Sequence, residues 1–244
     1  GLVIGRDLDG PRDKPALLLN GAHHGNEPLS LEFVLDAIDV LLAGHEVDPR
    51  IHQWLNHVVI WCVPVVNPDG LHAYINVSSS MGRKNARDNH GDHRRQSNDG
   101  VDLNRNYPHR WASLGEKGSK SSTSSMYFRG PHAASEPETQ AMMALANREP
   151  FFASLSYHTG TVALLSPYTI DGLKNPVPDV ARMIAEELVA ELPPHPEQRR
   201  VPVRRKLYSV DGTDQDWHMA THGTLALLVE GAQAFTRDPL LRAQ

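Results

Sequence analysis

The chain has 244 residues, 40% of them hydrophobic and 22% charged, with a formal net charge of −5 at pH 7. That balance suits a single α/β domain with a sizeable core. It supplies no global positive field for nucleic acid or anionic lipid, and no apolar run approaches the roughly 18 residues that a membrane-spanning helix needs. A small or neutral partner is therefore expected. The start at Gly1, with neither a signal peptide nor an initiator Met, points to a processed or excised piece. Cys62 is the only cysteine, so no internal disulfide is open to it. Its β-branched neighbours mark it as a small hydrophobe in a buried strand.

Leu2 to Ile4 and Ala16 to Leu19 read as strands, separated by a polar turn containing Gly10-Pro11. From Ser30 to Leu42 apolar residues recur at helical spacing, and Gly44 follows as a stop. Val58 to Val66 is a continuous apolar run, expected to be a strand buried on both faces and ended by a turn at Asn67-Pro68-Asp69-Gly70. Between Ser78 and Pro108 the chain turns polar, which predicts a long, ordered, functional loop. Within it, Arg87 to Arg95 interleaves acids and bases around His90 and His93; with no third ligand in view it reads as a solvated loop. Leu114 to Ser125, rich in Gly, Ser and Lys, has the composition of a flexible excursion.

Ser135-Glu136-Pro137-Glu138 has the capping-box pattern and opens a helix carrying Met142, Met143 and Ala146 on one face. Phe151 to His158 reads as a strand. A further helix runs from Asp179 to Leu192 with Val180, Ile184 and Leu188 in register, ended by Pro193-Pro194. Leu225 to Val229 is a buried strand ending at Glu230. Strands alternate with helices, and no internal repeat is found.

The chemistry gathers at strand ends, where open α/β sheets place their ligands. His24 and Glu27, three residues apart on a turn just after the strand Ala16 to Leu19, can both reach one cation, with Gly25 removing a side chain between them. A catalytic zinc needs a third protein ligand, for which His158, at the end of its own strand, is the candidate. Glu230, a carboxylate at the end of a buried strand, is a candidate base, because burying it there is costly unless it is paired or faces a wet cleft.

With these residues in place, the chain resembles the zinc metallocarboxypeptidases related to pancreatic carboxypeptidase A (peptidase family M14), from about Leu17 to Glu230. The motifs that carry the resemblance come in family order: His24-Gly25-Asn26-Glu27, in the form found in the branch of basic-residue-specific processing enzymes; Asn67-Pro68-Asp69-Gly70; Gly100 to Asn106; Phe128-Arg129-Gly130-Pro131 with Ser135 to Glu138; and Tyr208 to Asp216-Trp217. The resemblance implies a mixed, largely parallel twisted sheet flanked by helices, in one catalytic domain spanning 1–244. It implies one zinc ion on His24, Glu27 and His158, with Asp102 accepting from a ligating imidazole. It implies a hydrolase of C-terminal peptide bonds in which Glu230 takes a proton from a zinc-bound water and Arg83 stabilises the oxyanion. Asn104 and Arg105 would grip the terminal carboxylate of a peptide substrate, and Tyr208 would close over it.

Two related functions share parts of this pattern: zinc amidohydrolases acting on N-acyl amino acids or cell-wall peptides, and non-catalytic peptide-binding members. The family's peptide-processing members are mostly exported, which favours a periplasmic or secreted setting. Oligomeric state is open. The chain departs from the pattern at Gly82, where members often carry Trp, and at Asn26, where pancreatic members carry Arg. Its ends are also short, so another segment or subunit covering the sheet, or trimming, is expected. The resemblance places the side-chain pocket near Thr169 and Gln215. Gln215 matches the basic-specific branch, whereas Thr169 stands where that branch has an aspartate. With Asp171, Asp211 or Asp214 as the substitute carboxylate, the expectation is a polar pocket that prefers Lys or Arg to Phe or Leu.

Overall fold

The computed structural model describes residues 1–6, 8, 14–77, 81–94, 96, 98–194 and 200–233. Gly10-Pro11, Ser78 and Arg95 lie outside these. The elements in chain order are β1 (Leu2–Ile4), β2 (Ala16–Gly21), α1 (Pro28–Gly44), α2 (Pro49–His57), β3 (Val59–Val63), α3 (Pro68–Asn76), α4 (Pro137–Arg148), β4 (Phe151–His158), β5 (Thr161–Leu165), α5 (Val180–Glu191), β6 (Val203–Arg204), α6 (Asp214–His222) and β7 (Leu225–Ala232). Among the described residues they form a single α/β domain around a seven-stranded sheet of order β1-β3-β2-β4-β7-β5-β6. The centre β3-β2-β4-β7 is parallel, β1 and β5 join it antiparallel, and β6 runs parallel to β5.

The period-two pleat of β2 divides the core. Leu17 and Leu19 pack toward α1 and α2 with Val34, Ile38, Ile51 and Leu55, while Leu18 faces Leu103, Tyr107, Met142 and Trp217 on the α4 and α6 side. α5 covers the sheet through Ala181, Ala185 and Val189 against Leu164 and Leu227. Its buried face is thus one residue out of phase with the expected one: Val180 and Leu188 are 43% and 44% exposed. Two alanines let the helix backbone approach the sheet, and the same 3.6-residue period fits either stripe, so periodicity alone does not choose between them.

Other local expectations shift for identifiable reasons. The strand around Cys62 stops at Val63, before Pro64, and its alternating burial shows one well-covered face rather than two. Asn67-Pro68-Asp69-Gly70 begins α3 instead of ending in a turn, because the Asn67 side chain accepts from the Gly70 N–H at 2.8 Å and caps the helix. The capping box before α4 does not form. Glu136 is the N-cap, Ser135 donates to the Glu136 carboxylate, and that carboxylate is occupied by Asn85 and Arg87. Leu114 to Ser125 is pinned rather than flexible: buried Ser119 donates to Asp211, and Arg129 donates to the Gly115 carbonyl. Arg87 to Arg94 is a loop folded around its carboxylates. Asp88 accepts from three backbone N–H groups and Asp99 from two, while His90 contacts Asp99 at 3.1 Å.

Candidate metal centre and active site

β2, through the turn that follows it, and β4 deliver the candidate metal-ligating side chains. Tyr157 of β4 lies beside Gly21 at the end of β2, and His158 pairs in register with Glu230 of β7. After Gly21 the chain turns through Ala22, at a φ of 51°, which aims His23 and His24 to different sides before Glu27 leads into α1. Gly25 is required by a close approach: a Cβ there would meet the Gly70 carbonyl carbon and the Leu71 nitrogen at 2.1 Å. Gly82, at a φ of 65°, closes the same seam, since its carbonyl oxygen would lie 2.6 Å from that Cβ. Tyr74 fills the space that a side chain on residue 82 would need.

His24 Nδ1 lies 2.8 Å from Glu27 Oε1, His158 Nδ1 lies 3.0 Å from Glu27 Oε2, and the two Nδ1 atoms are 3.3 Å apart. Ligand atoms held about 2.0–2.1 Å from one tetrahedral cation are separated by about 3.3 Å, so this donor set fits a single zinc ion. The tautomer agrees. His24 Nε2 faces Asp102 Oδ1 at 3.0 Å, and an ionised carboxylate only accepts, which leaves Nδ1 as the lone pair. Burial pushes both carboxylates upward, but the flanking imidazoles hold Glu27 well below its ordinary range, and Arg83 and His24 do the same for Asp102. Both are ionised at neutral pH.

Arg83 is held by Asp102, its Nε donating to Oδ2 at 2.9 Å, and its guanidinium lies over the Tyr127 ring at 5.0 Å. This sets a cation beside the metal group, 3.8 Å from Glu27. Asn104 and Arg105 sit on a 3-10 turn capped by Asp102. The Asp214 N–H donates to Asn104 Oδ1 at 3.0 Å, so the Asn104 Nδ2 is the end left for a ligand. Arg105 donates through Nη2 to the Tyr208 hydroxyl at 3.0 Å and keeps a buried Nε without a partner among the described residues. Tyr208 is half exposed at the rim. Glu230 is pushed above its ordinary pKa, first by burial, and its Oε2 is buried without a described partner.

One cavity of about 250 Å³ is lined by His24, Glu27, His158, Glu230, Arg83, Asn104, Arg105, Tyr208, Thr169 and Gln215, while Asp102 lies behind His24. Thr169 and Gln215 line its deeper part, nearly fully buried. The three carboxylates offered as partners for a basic side chain are elsewhere. Asp171 pairs with Lys206, Asp211 accepts from Ser119 and from the Leu114 N–H, and Asp214 faces His23 at 3.9 Å. None of the three lines the cavity, so the expected basic preference loses its basis.

Behind the ligands lies a polar layer that the sequence reading did not find. His23 bonds the Tyr107 hydroxyl at 2.9 Å and stacks on His158 with ring centroids 5.7 Å apart, and Ser156 Oγ links His158 Nε2 to Asn20. Burial takes His23 down to about 4, so it is neutral at pH 7. The strict alternation Asn20, Ser156, His158 along adjacent strands was the available signal. Tyr127, whose ring lies near both Arg83 and Arg105, was hidden in a serine-rich segment.

Asp216, beneath Thr169, accepts from the Thr169 N–H and hydroxyl, and burial pushes it up to about 6. A raised folded-state pKa means the native chain keeps a proton that the unfolded chain has released, so this group costs stability as pH rises from about 4 to about 6. The cost is on the order of 3 kcal/mol. Asp216→Asn keeps an oxygen acceptor and removes the titration. Urea unfolding of both proteins at about pH 4 and pH 7 is expected to show the variant gaining on the wild type by that order at the higher pH; an equal difference at both would refute the assignment.

The fold and ligand set define a mononuclear metal centre at the C-terminal edge of a mixed sheet. The family model for zinc carboxypeptidases matches residues 2–236, and the chain belongs to that family, whose cofactor is a single zinc ion. Metallocarboxypeptidase A of Arthroderma otae is 28% identical over 218 residues, covering 85% of this chain and 49% of that protein. Carboxypeptidase A4 of Mus musculus is 27% identical over 220 residues, covering 88% and 50%. The chain therefore spans about half the length of the curated relatives it matches. In fold it is similar to carboxypeptidase A from Helicoverpa armigera, with a TM-score of 0.77 at 22% identity, covering 95% of this chain and 59% of that one.

Proposed function

We propose that this chain is a zinc-dependent carboxypeptidase that removes the C-terminal residue of peptides. The observation that supports this reading best is the shared cavity: three residues that could hold a metal ion, a Glu230 carboxylate with no partner for its Oε2 among the described residues, and the Asn104 and Arg105 side chains all line it. His24, Glu27 and His158 would hold the zinc ion, which would supply Lewis acidity and a water acidic enough to act as a nucleophile at neutral pH. The Arg105 guanidinium and Asn104 Nδ2 hold the terminal carboxylate, which sets the scissile carbonyl beside the metal group. Arg83, fixed by Asp102, donates to the oxygen on which negative charge develops. Glu230 Oε2 takes the proton of the attacking water and returns it to the leaving amine. Tyr208, already bonded to Arg105, shields the bound carboxylate from solvent.

Digestion of a mixed peptide library by the zinc-loaded chain, read by mass spectrometry, is expected to show loss of single C-terminal residues that a chelator abolishes. The same peptides with amidated C-termini should react at least 100-fold more slowly, because Arg105 then loses its charged partner. Release of N-acyl groups or internal fragments, or equal rates on acids and amides, would replace this reading with that of an amidohydrolase.

A further inference from the structure

Arg105 is a buried cation whose hydrogen bonds go to neutral groups. It donates to the Asn104 carbonyl and to the Tyr208 hydroxyl, and among the described residues no carboxylate forms an ion pair with it. A guanidinium buried in that way is costly unless something offsets its charge. An acidic partner would offset it but would also repel an incoming carboxylate. An aromatic face attracts the cation and carries no net charge, so it leaves the guanidinium free to receive an anion. Tyr127 supplies such a face. It lines the cavity with its ring centroid 5.9 Å from Arg105 Cζ and 5.0 Å from Arg83 Cζ, so one ring serves both guanidiniums.

All three side chains are tied to Asp102. Its carboxylate accepts from Arg83 Nε at 2.9 Å and from the Asn104 N–H, at the start of the turn bearing Arg105, at 3.1 Å. Its own N–H donates at 2.8 Å to the carbonyl of Phe128, the residue after Tyr127, and the Tyr127 carbonyl accepts from the Lys120 N–H at 3.0 Å.

Resting on the carboxypeptidase reading, we propose that Tyr127 is a positioning residue whose ring face holds Arg83 and Arg105 in their working orientations together. Arg105 acts on the bound carboxylate and Arg83 on the charge that develops in the transition state, so weakening the ring raises KM and lowers kcat at once.

The test is kcat and KM of the zinc-loaded chain on one N-acylated dipeptide with a free C-terminus. The proteins compared are wild type, Tyr127→Leu, Tyr127→Phe and the Tyr127→Phe protein carrying one, two or three ring fluorines. Fluorine withdraws electron density from the ring face with little change in shape, so it weakens the attraction for a cation and spares the packing. Tyr127→Phe is expected within about threefold of wild type. At unchanged zinc content, kcat/KM should then fall with each fluorine, reaching about fivefold or more with three, and fall as far in Tyr127→Leu. A flat fluorine series, a change confined to KM or to kcat, or a Tyr127→Phe protein as impaired as Tyr127→Leu overturns the proposal. Should the wild-type chain cleave no peptide, the carboxypeptidase reading fails, and calorimetric titration of the fluorine series with N-acetylglycine still decides: affinity that declines with fluorination sustains the proposal, and constant affinity or no binding rejects it.

Discussion

Replacing Glu230 by glutamine is expected to lower kcat by two to four orders of magnitude while leaving the zinc content of the purified chain unchanged. The amide keeps the volume and one acceptor of the carboxylate but cannot take up a proton, and positioned proton transfer contributes about 10²–10⁴ in rate. His24, Glu27 and His158 form the group that could hold a metal ion, and Glu230 is not part of it. Its raised pKa gives a second readout: with the proton held more tightly than by an exposed carboxylate, the basic form is reached only above the ordinary carboxylate range, and wild-type activity falls as pH drops through it. Metal analysis with single-turnover rates checks the first part, and a variant within about threefold of wild type would remove Glu230 from proton transfer.

The second large effect is expected from His158→Ala. This imidazole closes the candidate donor set from β4, with its Nδ1 3.0 Å from Glu27 Oε2. Loss of an outer partner of a zinc ligand typically costs about 10–100-fold in affinity, so loss of the ligand itself should exceed that. Ser156→Ala, which removes only the hydroxyl near His158 Nε2, should stay within the smaller range. Competition with a chelating dye measures both. Equal zinc affinity in His158→Ala and wild type would remove His158 from the metal site, and an equal loss in both variants would mean that His158 acts only through its surroundings.

What could be read from the sequence follows from how locally each feature is determined. β2, α1, β4 and β7 carry clear apolar patterns that end at chemistry-bearing residues, so the metal group and Glu230 were legible as strand-end polar residues. α6 was not, because it buries Asp214, Gln215, Asp216 and His218 and therefore shows no amphipathic stripe. β5 was hidden because Thr159 and Gly160 turn the chain straight back after His158, leaving a polar dipeptide where a strand had just ended. The direction of the pocket carboxylates could not be read at all. Asp211 and Asp216 are recruited by Ser119 and Thr169, and Asp214 by His23, partners 47 to 191 residues away that only the folded chain brings near.

The seam of backbone contacts at Gly25, Gly70 and Gly82 has a consequence for how such a chain can change. The metal-ligand turn, the start of α3 and the loop that presents Arg83 touch through main-chain atoms with no side chain between them. There is no soft layer there to absorb a shift, so a displacement of the Arg83 loop is transmitted to the turn bearing His24. A side chain gained at Gly25 can be accommodated only by moving the main chain of Gly70, Leu71 and Gly82, so the turn bearing His24 and the loop bearing Arg83 are coupled as one mechanical unit.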